Sequence, residues 1–359
     1  MKRVYNYPNH QIPKNITETG HKILLSYMCK KTTAERRCRR ILEENGGDIA
    51  DEARTILLED PALKDLAQPL KFISENWRDL TPALIRLSCK AVGGRTCQTH
   101  DVSLAICLIN LSMYIWDDMI DNVKSKAFRP TIFGKFGANT SLIIGGLASA
   151  KAFSILNEMK MEKAKRLKIN QLVWDFLTKM AKAETVSARL RFEKKILHTA
   201  KMWKIKMEAI GIETCLHIGA IIGDGTKREI HHLRKYGHNL GIILALWNDS
   251  RVSLNLTLEL ADKIRSGKMP FTLLWACAKS ERLRSKIYEL VDATTIAQAD
   301  LKEIVKETLE TKVLEYTERK VRYYTQQAEK ELMGLKKNNA TQTLKSLVDA
   351  QPKLFAEIL

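Results

Sequence analysis

The stretch Trp116-Asp117-Asp118-Met119-Ile120-Asp121 closes the most apolar segment of the chain, residues 99–123. Upstream of it Leu104, Leu108, Leu111 and Ile115 recur three and four residues apart, the period of a helix face. A helix this apolar is expected to be buried nearly to its end. Asp117 and Asp121 are i and i+4 and share one face, with Asp118 about 100° round. Like charges at that spacing repel, and burying them costs far more unless a cation joins them. Mg²⁺ answers this need: it takes one or two carboxylates, keeps waters and completes its shell with substrate phosphates. Stepping back from Asp117 along the same face gives Met113, Asn110, Ile109 and Ile106. The acids therefore stand at the mouth of a mostly apolar shaft, a shape suited to a polar diphosphate head and a hydrocarbon tail. A solvated acidic helix end above an ordinary core is the alternative that the spacing leaves open.

The rest of the chain is consistent with helices alone. Of 359 residues, 45% are apolar, enough for a real core, while 17 Gly and 8 Pro are too few for the turns of a sandwich or barrel. Residues 20–60, 66–95, 138–160, 168–200, 202–223, 227–259, 270–291 and 298–334 carry helical patterns. Gly237 and Gly241 permit close packing, and Gly145-Gly146 weakens its helix. Residues 122–131 read as a loop. No repeat, period-2 strand or low-complexity linker divides the chain, so one all-α domain over residues 1–359 is expected.

Seven cysteines without CxxC spacing argue against a disulfide framework or a zinc ribbon and suit a reducing, cytoplasmic setting. His231, His232 and His238 lack the partners of a zinc site. The N-terminus has no apolar h-region, and the longest apolar run, near 240–247, is short of the ~18 residues of a membrane span. The net charge of +18 fits nucleic acid, an anionic membrane surface or a phosphorylated substrate. The basic residues are dispersed among acids, and no nucleic-acid-binding motif accompanies them, so nucleic acid is not expected as a partner. The Lys/Arg-rich stretch 318–337 could meet anionic lipid.

Asp117-Asp118-Met119-Ile120-Asp121 resembles the first aspartate-rich motif, DDxxD, of the trans-isoprenyl diphosphate synthases, and the resemblance continues over about residues 65–280. Trp77-Arg78-Asp79-Leu80-Thr81-Pro82-Ala83-Leu84 stands in place of GKRxRPxL, and Ala91-Val92-Gly93-Gly94 follows. Pro130-Thr131 and Lys135-Phe136-Gly137 resemble the stretch RRGxPTxHxxFG. Lys206 is similar to the lysine of the KT motif. Asn248-Asp249-Ser250-Arg251-Val252 lies at the second DDxxD, and Ile264-Arg265-Ser266-Gly267-Lys268 resembles the terminal GK element. The resemblance implies the all-α isoprenoid synthase fold: a helical bundle around a central apolar cavity, with residues 1–60 and 298–359 peripheral. It further implies Mg²⁺, three ions in number, and a homodimer.

The departures bear on subtype. Chain-elongating members hold a second diphosphate, that of isopentenyl diphosphate, on basic residues. Here Arg78 keeps one, but Thr81 replaces an arginine, Lys126-Ala127 replaces the arginine doublet, and Met207 replaces the threonine of KT. A multiply charged anion in a water-poor pocket needs charge-assisted donors, so that pocket should be weakened. The allylic side keeps Asp117, Asp118, Asp121, Lys206 and Lys268. In the second motif, Asn248 and Val252 replace the first and last aspartates. Asp249, with Asn248 or Ser253, is expected to complete the metal cluster with Asp117 and Asp121. The expected reaction is ionisation of an allylic prenyl diphosphate. Asp117, Asp118, Asp121, Asn248 and Asp249 act at the centre, and Lys206, Lys268, Arg78 and Lys126 hold the leaving group. Ile109, Met113 and Ser112 are expected to line the cavity; for a chain-elongating enzyme, the resemblance implies that the small Ser112 gives a product around geranylgeranyl length or longer. The weakened second pocket favours a terpene synthase that quenches its own cation. The alternatives are a chain-elongating prenyl diphosphate synthase and a non-catalytic partner subunit of one.

Overall fold

In the computed structural model the described residues are 33–77, 79, 81–126, 129–189, 205, 209–254 and 256–356. The bundle is built from α1 (Thr33–Thr55), α2 (Ala67–Asn76), α3 (Thr81–Ala91), α4 (His100–Ile120), α5 (Ile132–Glu158), α6 (Lys163–Arg189), α7 (Ile210–Ile222) and α8 (Lys227–Leu254). There follow α9 (Leu258–Arg265), α10 (Phe271–Lys279), α11 (Glu281–Leu290), α12 (Gln298–Glu310), α13 (Val313–Met333), α14 (Asn339–Asp349) and α15 (Gln351–Ala356). The expected all-α architecture is the one observed. The largest buried apolar cluster draws on residues from Cys38 to Phe355.

Helix α4 buries Val102, Leu104, Ile106, Leu108, Ile109, Leu111 and Ile115, more than one stripe of its circumference, as an inner helix must. It lies along α5, while α3 packs between α1 and α7, and α8 between α7 and α13. Two glycines of α8 make that packing possible. A Cβ on Gly237 would stand 3.0 Å from Glu213 Cα, and one on Gly241 2.7 Å from Ala209 Cα.

The acidic end of α4 is fixed by its exit. Asn122 takes a left-handed conformation (φ 52°), and the chain then pairs two short strands, β1 (Ser125–Lys126) and β2 (Arg129–Pro130). Strands of two residues leave no periodic signal, which is why this segment reads as a loop from sequence. Thr131 caps α5: its hydroxyl oxygen accepts from Gly134 N at 2.9 Å and its proton goes to Val123 O at 2.9 Å, tying α5 to the end of α4.

Several expected helices are broken in two. The 227–259 segment stops at Leu254 and restarts as α9, capped by Thr257, whose side chain accepts from Leu260 N. Ser280 caps α11 and separates it from α10. The 298–334 segment breaks at Lys312, a left-handed residue (φ 59°) with no glycine or proline nearby to announce it. Residues 190–204 and 206–208, and with them the end of one expected helix and the start of the next, lie outside the described residues.

A second reading from the sequence needs correction. Two helices, Thr96–Ile120 and Ile132–Glu158, are long and apolar enough to cross a membrane by length and composition. A core helix passes the same test, and the first is mostly buried, but only 33% of the apolar window of α5 is.

Candidate active site

Asp117, Asp118 and Asp121 stand on the last turn of α4 and at its C-cap. One carboxylate oxygen each from Asp117, Asp121 and Glu184 converge within 4.8 Å of one another. Glu184 comes from α6, 63 positions beyond Asp121, and no motif in the sequence pointed to it. Three hard oxygen donors from two helices fit Mg²⁺, whose octahedral shell is about 4.2 Å across at bonds of ~2.1 Å. Drawing the three oxygens onto one ion requires only a small approach.

Three lysines complete the site. Lys126, on β1, places Nζ 2.5 Å from Asp118 Oδ1 and 3.6 Å from Asp117 Oδ2, and lies over the Tyr114 ring at 4.4 Å. Asp118 is 1% exposed, and burial pushes its carboxyl up to about 6 in spite of Lys126. Burial also opposes the charge on Lys126, but Asp118 and Asp117 outweigh it and raise the ammonium above its ordinary value. Asp121 is 4% exposed. Burial works against its ionisation, yet Lys263 and Lys268 overcome it and hold the carboxyl well below the usual range. Lys268 Nζ donates to Asp121 Oδ1 at 2.6 Å and to Ile120 O at 2.9 Å, while Lys263 pairs with Asp121 Oδ2. Of the lysines singled out from sequence, Lys126 and Lys268 are brought beside the acids of α4. Lys263, on α9 beyond the break that follows α8, was not foreseen.

The second motif lies on α8, and its polar groups bond as follows. Asp249 is not part of the converging carboxylate group among the described residues. Its Oδ2 accepts from Phe271 N at 2.7 Å, at the start of α10. Ser253 donates to Asp249 O at 2.8 Å, and Asn248 Oδ1 accepts from Arg251 at 3.3 Å. Asp249 thus has a capping role that its place in a metal motif did not suggest.

Ile109 is fully buried in the core and Met113 packs against it from a partly buried position. Ser112 is buried, and its hydroxyl donates to Leu108 O at 3.0 Å and Gly145 O at 2.8 Å, joining α4 to α5. The polar end of Ser112 is therefore used between helices. Arg78, Lys206, Met207 and Ala127 lie outside the described residues.

A second polar cluster was read from sequence only as a gap in the basic pocket. Thr81 N and Oγ1 donate to the two oxygens of Asp79 at 2.8 and 2.9 Å, and Asn110 Nδ2 donates to Asp79 Oδ2 at 2.6 Å and to Thr81 Oγ1 at 3.2 Å. Burial pushes the Asp79 carboxyl up, partly offset by these bonds. Asn110 precedes Asp117 by seven residues on the same face of α4, about 10 Å along the axis. Thr81, which stands where the resemblance has an arginine, is thus bonded to an acid and an amide.

An all-α bundle in which a largely buried helix ends in lysine-paired carboxylates is the arrangement that the resemblance to isoprenoid synthases implies. The polyprenyl synthetase family model matches residues 64–308, and the chain belongs to that family of enzymes acting on prenyl diphosphates. Among curated relatives, geranylgeranyl diphosphate synthase of Methanosarcina mazei is 22% identical over 219 residues, 60% of this chain and 67% of that protein. Geranylgeranyl pyrophosphate synthase 4 of Arabidopsis thaliana is 25% identical over 57% of this chain and spans 58% of its own length. A short chain isoprenyl diphosphate synthase of Methanothermobacter thermautotrophicus is 25% identical over 63% of this chain and 72% of its own. Among solved structures, geranylgeranyl pyrophosphate synthetase from Pyrococcus horikoshii superposes with a TM-score of 0.76 at 19% identity, over 90% of this chain and 99% of the other. A polyprenyl synthase from Caulobacter crescentus, crystallised with calcium and isoprenyl diphosphate, gives 0.78 at 18% identity, over 90% and 98%. Enzymes of this family are Mg²⁺-dependent.

Proposed function

We propose that the chain ionises an allylic prenyl diphosphate at the end of α4 and joins the cation to isopentenyl diphosphate, as a chain-elongating trans-prenyltransferase. The observation that carries the ionisation is the convergence of Asp117, Asp121 and Glu184 beside Lys126, Lys263 and Lys268. These three carboxylates would hold Mg²⁺, which when bound supplies Lewis-acid neutralisation of the departing diphosphate. Lys126 and Lys268 donate hydrogen bonds to leaving-group oxygens, fixed charges aimed where negative charge develops. The α4 face of Met113, Ile109 and Ile106 takes the hydrocarbon tail and keeps water from the cation. The names of the relatives support elongation over the cyclase that the weakened basic pocket suggested.

One observation favours a second reading. Asp79 is a carboxyl bonded to Asn110 and to Thr81, which stands where the resemblance has an arginine, and it supports quenching of the cation without isopentenyl diphosphate, as in a terpene synthase. A paired incubation separates the two. Purified protein and Mg²⁺ receive geranyl, farnesyl or geranylgeranyl diphosphate, each with and without isopentenyl diphosphate. A longer linear diphosphate that requires isopentenyl diphosphate supports elongation. A hydrocarbon or alcohol formed without it supports the second reading, and no product in either arm overturns both in favour of a partner subunit.

The chain is further proposed to work as a homodimer through α5. Between Gly137 and Leu156 the only charged residue is Lys151, and Leu142, Ile143 and Phe153 are exposed. Two copies of a chain of net charge +18 can meet without like-charge repulsion on such a face. A monomer in sedimentation at micromolar concentration, with binding to lipid vesicles, would assign the face to a membrane instead.

A further inference from the structure

Asp121 is the one buried carboxylate of the site that carries an ammonium group on each oxygen: Lys263 on Oδ2 and Lys268 on Oδ1. The two lysines leave α9 together, with Lys268 N donating to Lys263 O at 3.0 Å across a turn made by left-handed Gly267 (φ 70°). One ammonium suffices to neutralise Asp121 itself; the second is balanced by the neighbouring carboxylates of Asp117 and Glu184, and two like charges this close require an anion between them. The two are not equivalent. Lys268 is also held by the Ile120 carbonyl at 2.9 Å, a contact at the end of α4 that does not depend on the Asp121 side chain. The hydrogen bond of Lys263 goes to Asp121, and its four-carbon stem can swing.

Resting on the reading that Asp121 helps to hold Mg²⁺, we propose that Lys263 is a transferable counter-ion. It covers Asp121 when no divalent metal is bound and donates to the diphosphate of the substrate when metal takes Asp121. A metal ion and two ammonium groups on one carboxylate repel one another, and Lys263 is the group free to leave. Its new acceptor is the multiply charged diphosphate, the strongest kind of partner for an ammonium donor. Lys263 is thus a fourth lysine for the leaving group, beside Lys126, Lys206 and Lys268.

The inference demands two effects of opposite sign, which a purely structural ion pair between α9 and α4 does not produce. Calorimetric titrations would use Mg²⁺ alone, then inorganic diphosphate in saturating Mg²⁺, on the full chain and on K263M, K263Q and K263R. K263M and K263Q are expected to bind Mg²⁺ alone about tenfold more tightly and diphosphate about tenfold more weakly, the scale of one charge-assisted hydrogen bond. K263R should remain near the parent in both. Weakening of both ligands, or diphosphate binding unchanged in both neutral variants, overturns the role of Lys263 alone. Failure of the parent chain to bind diphosphate with Mg²⁺ overturns the prenyl diphosphate reading itself. Should K263M fail to fold, K263Q, which keeps an amide donor, carries the same test.

Discussion

Lys126 Nζ lies 2.5 Å from Asp118 Oδ1, and the Asp118 side chain is almost fully enclosed. Removing the lysine leaves a buried acid without its counter-ion, a loss of about 3–5 kcal/mol. K126M is therefore expected to unfold at markedly lower urea concentration and to lose turnover, while K126R keeps both. The double variant D118N/K126M should recover most of the stability, since the uncompensated charge is gone, but not the activity. Urea titrations of the four proteins check this. Equal stability of K126M and the parent would show that the pair is not buried in solution.

The proposed function gives Asp79 a role towards the second substrate. Its carboxyl is bonded to Thr81, which stands where the resemblance has an arginine, and to Asn110. D79N removes the repulsion and keeps a side chain of the same shape. In the elongating enzyme, KM for isopentenyl diphosphate should fall by roughly tenfold, with KM for the allylic substrate unchanged, one charge-assisted contact being worth that much. Initial rates at varied concentrations of each substrate decide it. An equal change in both constants would contradict a role confined to the second substrate.

Gly145 is fixed by its neighbour. A Cβ there would stand 2.4 Å from Trp116 Nε1, whereas one on Gly146 meets nothing within 4 Å. G145A should cost about 1–3 kcal/mol through overpacking, and it should lower activity, because Trp116 adjoins Asp117. G146A should be neutral or stabilising by up to about 1 kcal/mol from helix propensity. Thermal unfolding of the two variants side by side checks the contrast.

His217 on α7 makes the fold sensitive to acid. Burial, with Arg234 and Lys168 behind it, lowers the imidazole to about 4. In the unfolded chain it titrates near 6.5. Between these values the unfolded chain binds a proton that the folded chain does not, so stability is complete above about 6.5 and falls as pH drops towards 4. The slope from this partly exposed group should be roughly 1 kcal/mol per pH unit. Urea midpoints at pH 7, 6 and 5 should show that slope in the parent and a shallower one in H217Q. Identical slopes would assign the acid sensitivity to other groups.

Much of this was legible from sequence because it is local. The apolar period of α4, the i, i+4 acids at its end and the glycines of α8 each report their own packing. Glu184 and Lys263 were not legible for the opposite reason. Each reaches the site from a distant helix, and neither residue is distinguished within its own segment. Lys163–Arg189 is a lysine-rich amphipathic helix in which one glutamate is unremarked, and Lys263 lies beyond a break after Leu254 that no glycine or proline marks. Asp249 shows the converse. Its place in an aspartate-rich motif suggested metal and gave no sign that its oxygen also caps the helix that starts at Phe271. The left-handed Lys312 likewise breaks a helix whose charge pattern runs on without interruption.

The central claim is ionisation of an allylic diphosphate at Asp117, Asp121 and Glu184. Its most direct measurement is release of inorganic diphosphate from farnesyl and geranylgeranyl diphosphates, followed against Mg²⁺ concentration. The parent chain should release diphosphate only with Mg²⁺. E184Q should need about tenfold more Mg²⁺, and D117N/D121N should release none at any concentration. Release by D117N/D121N at the parental rate, or none by the parent with any allylic substrate, would contradict the account.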